Sequence, residues 1–404
     1  MKKLAIISPS ILPIPAVRGG AIEQLVTYIV EGNEENHQYD IDLYTMDDPA
    51  LDEFNYKYTN LVRIRVQNKR HPVRLACAVA VRLSRIFKET TRYNYISYEM
   101  YRNFKKDYYD EVLVENNMDT FSLMLKKRTK EKFFFHLHND FDPDQFSDEA
   151  KTKAKTQTVI QNTDKILVVS KFLKDKLIRY GAKESSISVV YNSIDRSKLV
   201  KIDSNQKRIL RNKFGISQND VVFTYVGRLV EYKGIDKLLE ATKNLKSAKN
   251  IKCLIVGDNF FNTKKDDEYI QKIKNIAVEI KNQVIFTGYV NNSDINRIYS
   301  ISDYVVVPSQ WEEVFGVVAL EAITMGVPVI ASRSGGLTEV LNPKCATLIN
   351  RDSEFLANLT SAIKKDYLNT KQEYSDLSKE ASRQSKKFPQ TKSEYYRQVL
   401  KAFT

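Results

Sequence analysis

Short apolar runs alternate with amphipathic helical segments from end to end, which predicts an α/β chain of two doubly wound, Rossmann-like domains facing across a cleft. Three observations carry that expectation. The 404 residues are too many for one ordinary core and suit two. The apolar runs are short and rich in Val, Ile and Phe, as strands buried on both faces of a parallel sheet are. They also fall into two series, separated by a charged stretch at 196–218 that carries no strand.

The first series places strands at 4–8, 40–45, 111–116, 132–138, 165–170 and 187–192, with helices over 21–31, 73–90, 94–106, 119–128, 150–161 and 171–180. The second places strands at 221–227, 251–257, 283–288, 303–309, 327–332 and 346–350. Between these, one helix is expected to begin after Ser293 as N-cap. Another spans 315–325 and is ended by Gly326-Val327-Pro328. The expected organisation is a first domain over 1–196, a linker over 197–218, a second domain over 219–388, and a final helical segment, 389–404, returning to the first domain.

A composition of 42% hydrophobic and 28% charged residues excludes a disordered or fibrous chain. Cys77, Cys253 and Cys345 are scattered and odd in number, so they form neither a disulfide framework nor a metal knuckle, and a reducing cytoplasm is the expected compartment. Met1 to Gly20 resembles a secretion signal in charge and hydropathy, but Pro9, Pro13 and Pro15 would break its helix. A buried first strand running into a Gly-Gly loop fits better. No stretch of about eighteen uncharged apolar residues is present to span a membrane.

Residues 306–340, VVPSQWEEVFGVVALEAITMGVPVIASRSGGLTEV, carry the most chemistry. A buried strand ends at Pro308-Ser309, a loop bears Glu313, and Phe315-Gly316-Val317 lead into a helix containing Glu321. Loop amides and a helix N-terminus make a donor array suited to a diphosphate or to sugar oxygens. Glu313 would accept hydrogen bonds from hydroxyls above that array, and Glu321, two turns on, could bridge a vicinal diol. Taken singly, each is as well read as an ordinary surface glutamate. The surrounding Pro-Ser, Phe-Gly and Gly-x-Pro-Val change that balance.

On these residues the chain resembles the family-4 glycosyltransferases, retaining enzymes of GT-B fold. Pro308, Ser309, Glu313, Phe315, Gly316, Glu321, Ala322, Gly326, Pro328, Val329, Gly335, Gly336 and Glu339 match the family's pattern, with Val314 where proline is common. GRLVEYKG (227–234) resembles the family's Gly-Arg-Leu-x-x-x-Lys-Gly, which implies Arg228 and Lys233 on the leaving diphosphate, where two cations offset phosphate charge without a metal. IVGD (255–258) and FTGYV (286–290) resemble the next two strand ends, implying that backbone at Tyr289 and Val290 holds the base. Gly19-Gly20 with Glu23 resembles the first-domain loop that lets backbone approach phosphate. VVSKFLKDKL (168–177) and YNSID (191–195) match further elements, with Ser193 replacing a glycine.

FFFHLHND (133–140) admits two readings. His136, His138 and Asp140 share a strand face and make a His-x-His-x-Asp pattern that metallo-hydrolases use, but His37 and His71 are the sole remaining histidines and both precede it. In the resemblance, the strand-end histidine, His138, faces the donor sugar near its anomeric carbon, while His136 lies one layer down in the core. Asp140, Asp142 and Asp144 also spell Asp-x-Asp, discounted here as a solvated loop.

The resemblance therefore implies a retaining hexosyltransferase. A nucleotide-diphosphate sugar, expected to be a UDP-sugar, is the donor, bound by the second domain. The acceptor is lipid-linked or saccharide, in capsule, exopolysaccharide or glycolipid synthesis. No cofactor or metal is expected, and no nucleic-acid partner. A metallo-hydrolase and a non-catalytic transferase-like partner protein are the alternatives.

Residues 51–106 hold 13 Lys/Arg against 4 Asp/Glu, a net +9 in a chain of net +13. On a helix from Pro72, Arg74, Arg82, Arg85, Lys88 and Arg92 line one side, with Leu75, Val79, Leu83, Ile86 and Phe87 opposite. That face is either solvated surface or, over 69–106, a dock for anionic membrane that would make the protein peripheral on the inner leaflet. If it docks, each cation contributes on the order of 1 kcal/mol. The protein then sediments with anionic but not neutral liposomes at low salt, and changing Arg74, Arg82, Arg85 and Lys88 to Gln releases it. No sedimentation assigns the face to solvent.

Overall fold

In strand β1 (Lys2–Ile7) the residues Leu4, Ala5, Ile6 and Ile7 have almost no exposure, which only a strand covered on both faces and both edges permits. The computed structural model describes residues 1–9, 12–65, 75, 95–141, 149–258 and 264–404. It places β1 inside a parallel sheet of order β3-β2-β1-β4-β5-β6-β7. The partners are β2 (Tyr39–Met46), β3 (Thr59–Ile64), β4 (Glu111–Glu115), β5 (Lys132–Leu137), β6 (Lys165–Val168) and β7 (Ile187–Val189).

A second parallel sheet has the order β10-β9-β8-β11-β12-β13. It is built from β8 (Val221–Val226), β9 (Ile251–Val256), β10 (Val284–Gly288), β11 (Tyr304–Val307), β12 (Val329–Ser332) and β13 (Ala346–Ile349). By contacts the chain divides into Met1–Ser193 with Lys392–Thr404, and Ile194–Thr391. Each sheet reverses its winding once among the described strands, at β1/β4 and at β8/β11. Loops leaving the strand C-termini at such a reversal diverge and leave a crevice suited to a ligand.

Several details differ from the sequence reading. Strand β3 was not expected. It is an edge strand whose residues are mostly half-buried, so its apolar pattern is weak. The stretch 197–218 contains a helix, Ser204–Lys213, started by an Asp203–Gln206 capping box and belonging to the second unit. Ser293 is not an N-cap: the Asn291 side chain accepts from its amide and opens a 3₁₀ turn ahead of helix Ile295–Ile301. Cys77, the basic residues Arg74, Arg82, Arg85, Lys88 and Arg92, and Asp142 and Asp144 lie outside the described residues. Among the described residues no helix is long and apolar enough to cross a membrane.

The helix Lys392–Ala402 is part of the first unit and packs on helix Ala21–Asn36. Tyr396 donates to Asn33 Oδ1 at 2.7 Å, Lys392 pairs with Glu35 at 2.9 Å, and Phe403 stacks on Phe134 with ring centroids 4.2 Å apart. Gly32 makes the approach possible, since a Cβ there would lie 2.8 Å from Tyr396 Cγ. Gly→Ala inside a helix ordinarily stabilises by about 1 kcal/mol. Here Gly32→Ala is expected to reverse that sign and destabilise the first unit by roughly 1–3 kcal/mol through overpacking. Urea unfolding of the variant against the parent checks it.

Candidate functional site

At the β8/β11 reversal the chain needs glycine to bring its two loops together. Gly234 has φ 71°, and a Cβ there would collide with the Pro308 carbonyl at the end of β11. The Gln310 amide then donates to the Tyr232 carbonyl at 2.8 Å, tying the loop after β8 to the loop after β11. Arg228 and Lys233 leave the first loop; Ser309, Trp311 and Glu313 leave the second.

Within that frame Lys233 Nζ lies 2.6 Å from Glu313 Oε1, and the Ser309 hydroxyl donates to the same oxygen. The exposed Arg228 guanidinium bonds the Tyr232 hydroxyl and lies 5.7 Å from that ring's centroid. Tyr232 in turn packs against Trp311 at 4.4 Å, with Lys233 Nζ 6.0 Å from the indole. The buried Ser334 hydroxyl accepts from the Glu313 amide at 2.8 Å and donates to the Trp311 carbonyl at 2.6 Å, fixing the loop that carries the carboxylate.

Gly316, at φ 102°, begins helix Val317–Thr324, whose first amides receive no side-chain cap. Its N-terminus is therefore an available donor array. Phe315 is in the core, edge-to-face with Phe388, so its part is to anchor the turn and not to touch a ligand. Glu321 is half-buried, its carboxyl pushed up to about 7 by burial, and Tyr299 donates to its Oε2 at 2.7 Å. Tyr289 is exposed and Val290 half-buried, both just past β10.

In the first unit, Gly19 and Gly20 have φ 78° and 97°, and Gly20 begins helix Ala21–Asn36. The Glu23 side chain folds against Gly20, buried, and burial raises its carboxyl above the usual range. The two histidines share a face, as the strand pattern suggests, but meet a carboxylate from the neighbouring strand. His138 Nε2 lies 2.7 Å from Glu115 Oε2, and His136 Nδ1 lies 3.3 Å from the same oxygen, all three residues buried.

Asp140 is not part of this cluster's ion pairing. It forms a 2.7 Å pair with Lys176, so the His136–His138–Asp140 ligand set of a metallo-hydrolase gives way to Glu115. Glu115, His136 and His138 each offer a ligand atom within 4.8 Å of the others. Their spacing is nevertheless that of one hydrogen-bonded His138–Glu115 pair with His136 beside it. The rings lie 3.9 Å apart, tilted by 43°, and 2.7 Å is shorter than the roughly 3.3 Å edge of a tetrahedral zinc site. Nor is His136 the satisfied core residue expected from the sequence, because neither ring nitrogen has a hydrogen-bond partner among the described residues.

Two family models cover most of the chain: "Glycosyltransferase Family 4" matches residues 22–198 and "Glycosyl transferases group 1" matches 206–384. The chain belongs to the family-4 glycosyltransferases. Putative glycosyltransferase YtcC of Bacillus subtilis is 26% identical over 368 residues, 87% of this chain and 81% of that relative. Lipopolysaccharide 1,2-N-acetylglucosaminetransferase of Salmonella typhimurium is 31% identical over 230 residues, 56% of each. Among solved structures, Anabaena Alr3699/HepE in complex with UDP matches with TM-score 0.73 and 18% identity over 99% of both chains, which gives the GT-B fold. Arg228, Lys233, Glu313 and the start of helix Val317–Thr324 thus come together in the second unit of a glycosyltransferase. Tyr232, Trp311, Ser334, Tyr299 and Glu115 were given no role from sequence. For Glu115 a signal existed, since a carboxylate directly after the apolar run Val112-Leu113-Val114 of a buried strand needs a partner.

The Glu115–histidine cluster makes the fold acid-sensitive. Burial and His136 push His138 down to about 4 from 6.5, so the unfolded chain takes up its proton first. Its contribution is complete above about pH 6.5 and is lost as pH falls toward 4. Glu115, held at about 2 by the two histidines despite its burial, adds a loss between about 4.5 and 2. The melting temperature is expected to drop between pH 7 and 5, and His138→Asn to flatten that slope. Equal slopes in both proteins would remove His138 as the cause.

Proposed function

We propose that the chain is a retaining hexosyltransferase that takes a UDP-sugar as donor and a lipid-linked or saccharide hydroxyl as acceptor in surface-polysaccharide or glycolipid synthesis. The observation that carries this is the joint placement of Arg228, Lys233, Glu313 and an uncapped helix N-terminus at the β8/β11 reversal. Complexes of Alr3699/HepE with UDP and with UDP-glucose support the choice of base, and the lipopolysaccharide transferase supports the acceptor class.

In this reading Lys233 exchanges Glu313 for the donor diphosphate, and Arg228 joins it, so that positive charge and helix amides meet the anion that forms as the glycosidic bond breaks. Glu313, released from its ion pair, accepts hydroxyls of the sugar. Glu321 holds the ribose diol, the backbone at Tyr289 and Val290 takes the base, and His138 serves as a sugar-facing group of the first unit. Gly19-Gly20 admits close backbone approach to the donor. No side chain is assigned as nucleophile: the acceptor oxygen attacks on the face the diphosphate leaves, and a diphosphate oxygen takes its proton. Retention of configuration follows.

Turnover, measured as UDP release from a panel of UDP-sugars with and without saccharide acceptors, tests the assignment. Arg228→Ala and Lys233→Ala are each expected to lower kcat by about 10²–10³-fold with the fold intact. Arg228→Lys should recover part of it, because bidentate geometry is lost while charge remains. Activity is expected to persist in excess EDTA. Loss restored by Mg²⁺ or Mn²⁺ would overturn the metal-free part, and unchanged kcat in both alanine variants would overturn the leaving-group role.

A further inference from the structure

Glu321 and Tyr299 stand 22 positions apart on two different helices, Val317–Thr324 and Ile295–Ile301. Tyr299 is about 1% exposed, and its hydroxyl spends its one proton on Glu321 Oε2 at 2.7 Å. We propose that Tyr299 is a positioning residue of the donor site: its hydroxyl holds one oxygen of Glu321 and leaves the other turned to the vicinal diol of the donor's ribose. The inference rests on the reading of Glu321 as the ribose-binding carboxylate.

The consequence for protonation follows from donor counting. A tyrosine hydroxyl that already donates to Oε2 makes that oxygen an obligatory acceptor, so a proton arriving on Glu321 must sit on Oε1. Oε1 is the oxygen offered to the diol. An ionised Glu321 accepts from ribose hydroxyls, whereas a protonated one presents a donor and gives up that bond. Burial pushes Glu321 up to about 7, and the Tyr299 bond pulls it back toward the ionised form. Tyr299 itself is pushed far above 10 by burial and by Glu321, so it remains a donor throughout. The elements packed on helix Val317–Thr324 are β11, β12 and helices Leu337–Val340 and Lys371–Ser385. Among the described residues, no titratable group on those elements shifts Glu321; Tyr299 alone does. The site is therefore built to take nucleotide sugar more tightly as pH rises through about 7.

Isothermal titration with UDP-glucose or UDP-N-acetylglucosamine, whichever binds, between pH 6 and 8.5 tests this, because their diphosphates do not titrate in that window. Wild-type affinity is expected to rise across it. Tyr299→Phe removes the donor to the ionised carboxylate and should move the rise to higher pH. The loss is about fivefold at pH 7 for a rise of one unit and approaches tenfold toward pH 6, and the two proteins converge toward the alkaline end. The effect should appear in Kd and KM and leave kcat at saturating donor near that of wild type, a split that general loosening of the fold would not give. Tyr299→Phe affinity that is unchanged, or lowered equally at every pH, overturns the inference while leaving Glu321 in place. If Tyr299→Phe does not fold, the wild-type profile decides, because flat affinity from pH 6 to 8.5 overturns the proposal by itself. Glu321→Ala binding as tightly as wild type, or no binding of either donor to the wild-type protein, overturns the ribose reading on which it rests.

Discussion

The close approach of two loops at the β8/β11 reversal is the constraint on which the second unit's chemistry depends. Adjacent parallel strands wound in opposite directions send their loops toward opposite faces of the sheet, which opens a crevice between them. At this point one backbone must touch another. Gly234 lets the first loop reach the Pro308 carbonyl, and the Tyr232 carbonyl then receives the Gln310 amide. Every charged group of the site hangs from those few residues. Gly257 does the same one strand over, where a Cβ would run into the Gly227 carbonyl and push away the loop that carries Arg228. These glycines shape the site without having a side chain to contribute.

Charge balance explains the resting arrangement. Lys233 with no partner would hold a half-buried cation beside two aromatic rings, and Glu313 would keep only the Ser309 hydroxyl against its charge. Pairing them at 2.6 Å with only partial burial makes the site stable when empty. The pair is not a deep one, so parting it costs less than parting a fully buried ion pair would. Arg228 is exposed and is held by a phenol and a ring face instead of a carboxylate. It therefore meets an incoming anion without first breaking an ion pair. Tyr232 and Trp311 set the two cations at a fixed height through contacts that need no countercharge.

Most strand positions and the second-unit motifs were legible because both leave one-dimensional traces. Buried parallel strands read as apolar runs, and loops pinned by glycine and proline keep their spacing. What escaped had its partner far along the chain. The bond between Tyr299 and Glu321 joins two helices, and an interior tyrosine on an amphipathic helix reads as ordinary core. Edge strand β3, Thr59–Ile64, escaped for the opposite reason, since half-exposed residues blur the alternation that marks a strand. Phe315 was legible as part of a motif but not in its role: motif membership does not distinguish a side chain that anchors a turn from one that meets a ligand.

The histidine pair shows how a correct residue can sit in an unexpected chemical state. Alternation along β5 put His136 and His138 on one face, which the structure keeps. It could not say what stands opposite. Register across the sheet does: Glu115 pairs with His136 in the parallel ladder, so the carboxylate that ends β4 is delivered to both rings by strand pairing alone. An ionised Glu115 accepts only, so the Nε2 of a neutral His138 must carry its proton toward Oε2, and Nδ1 is left as a lone-pair acceptor. That nitrogen is itself buried without a hydrogen-bond partner among the described residues, so the fold encloses the cluster on every side.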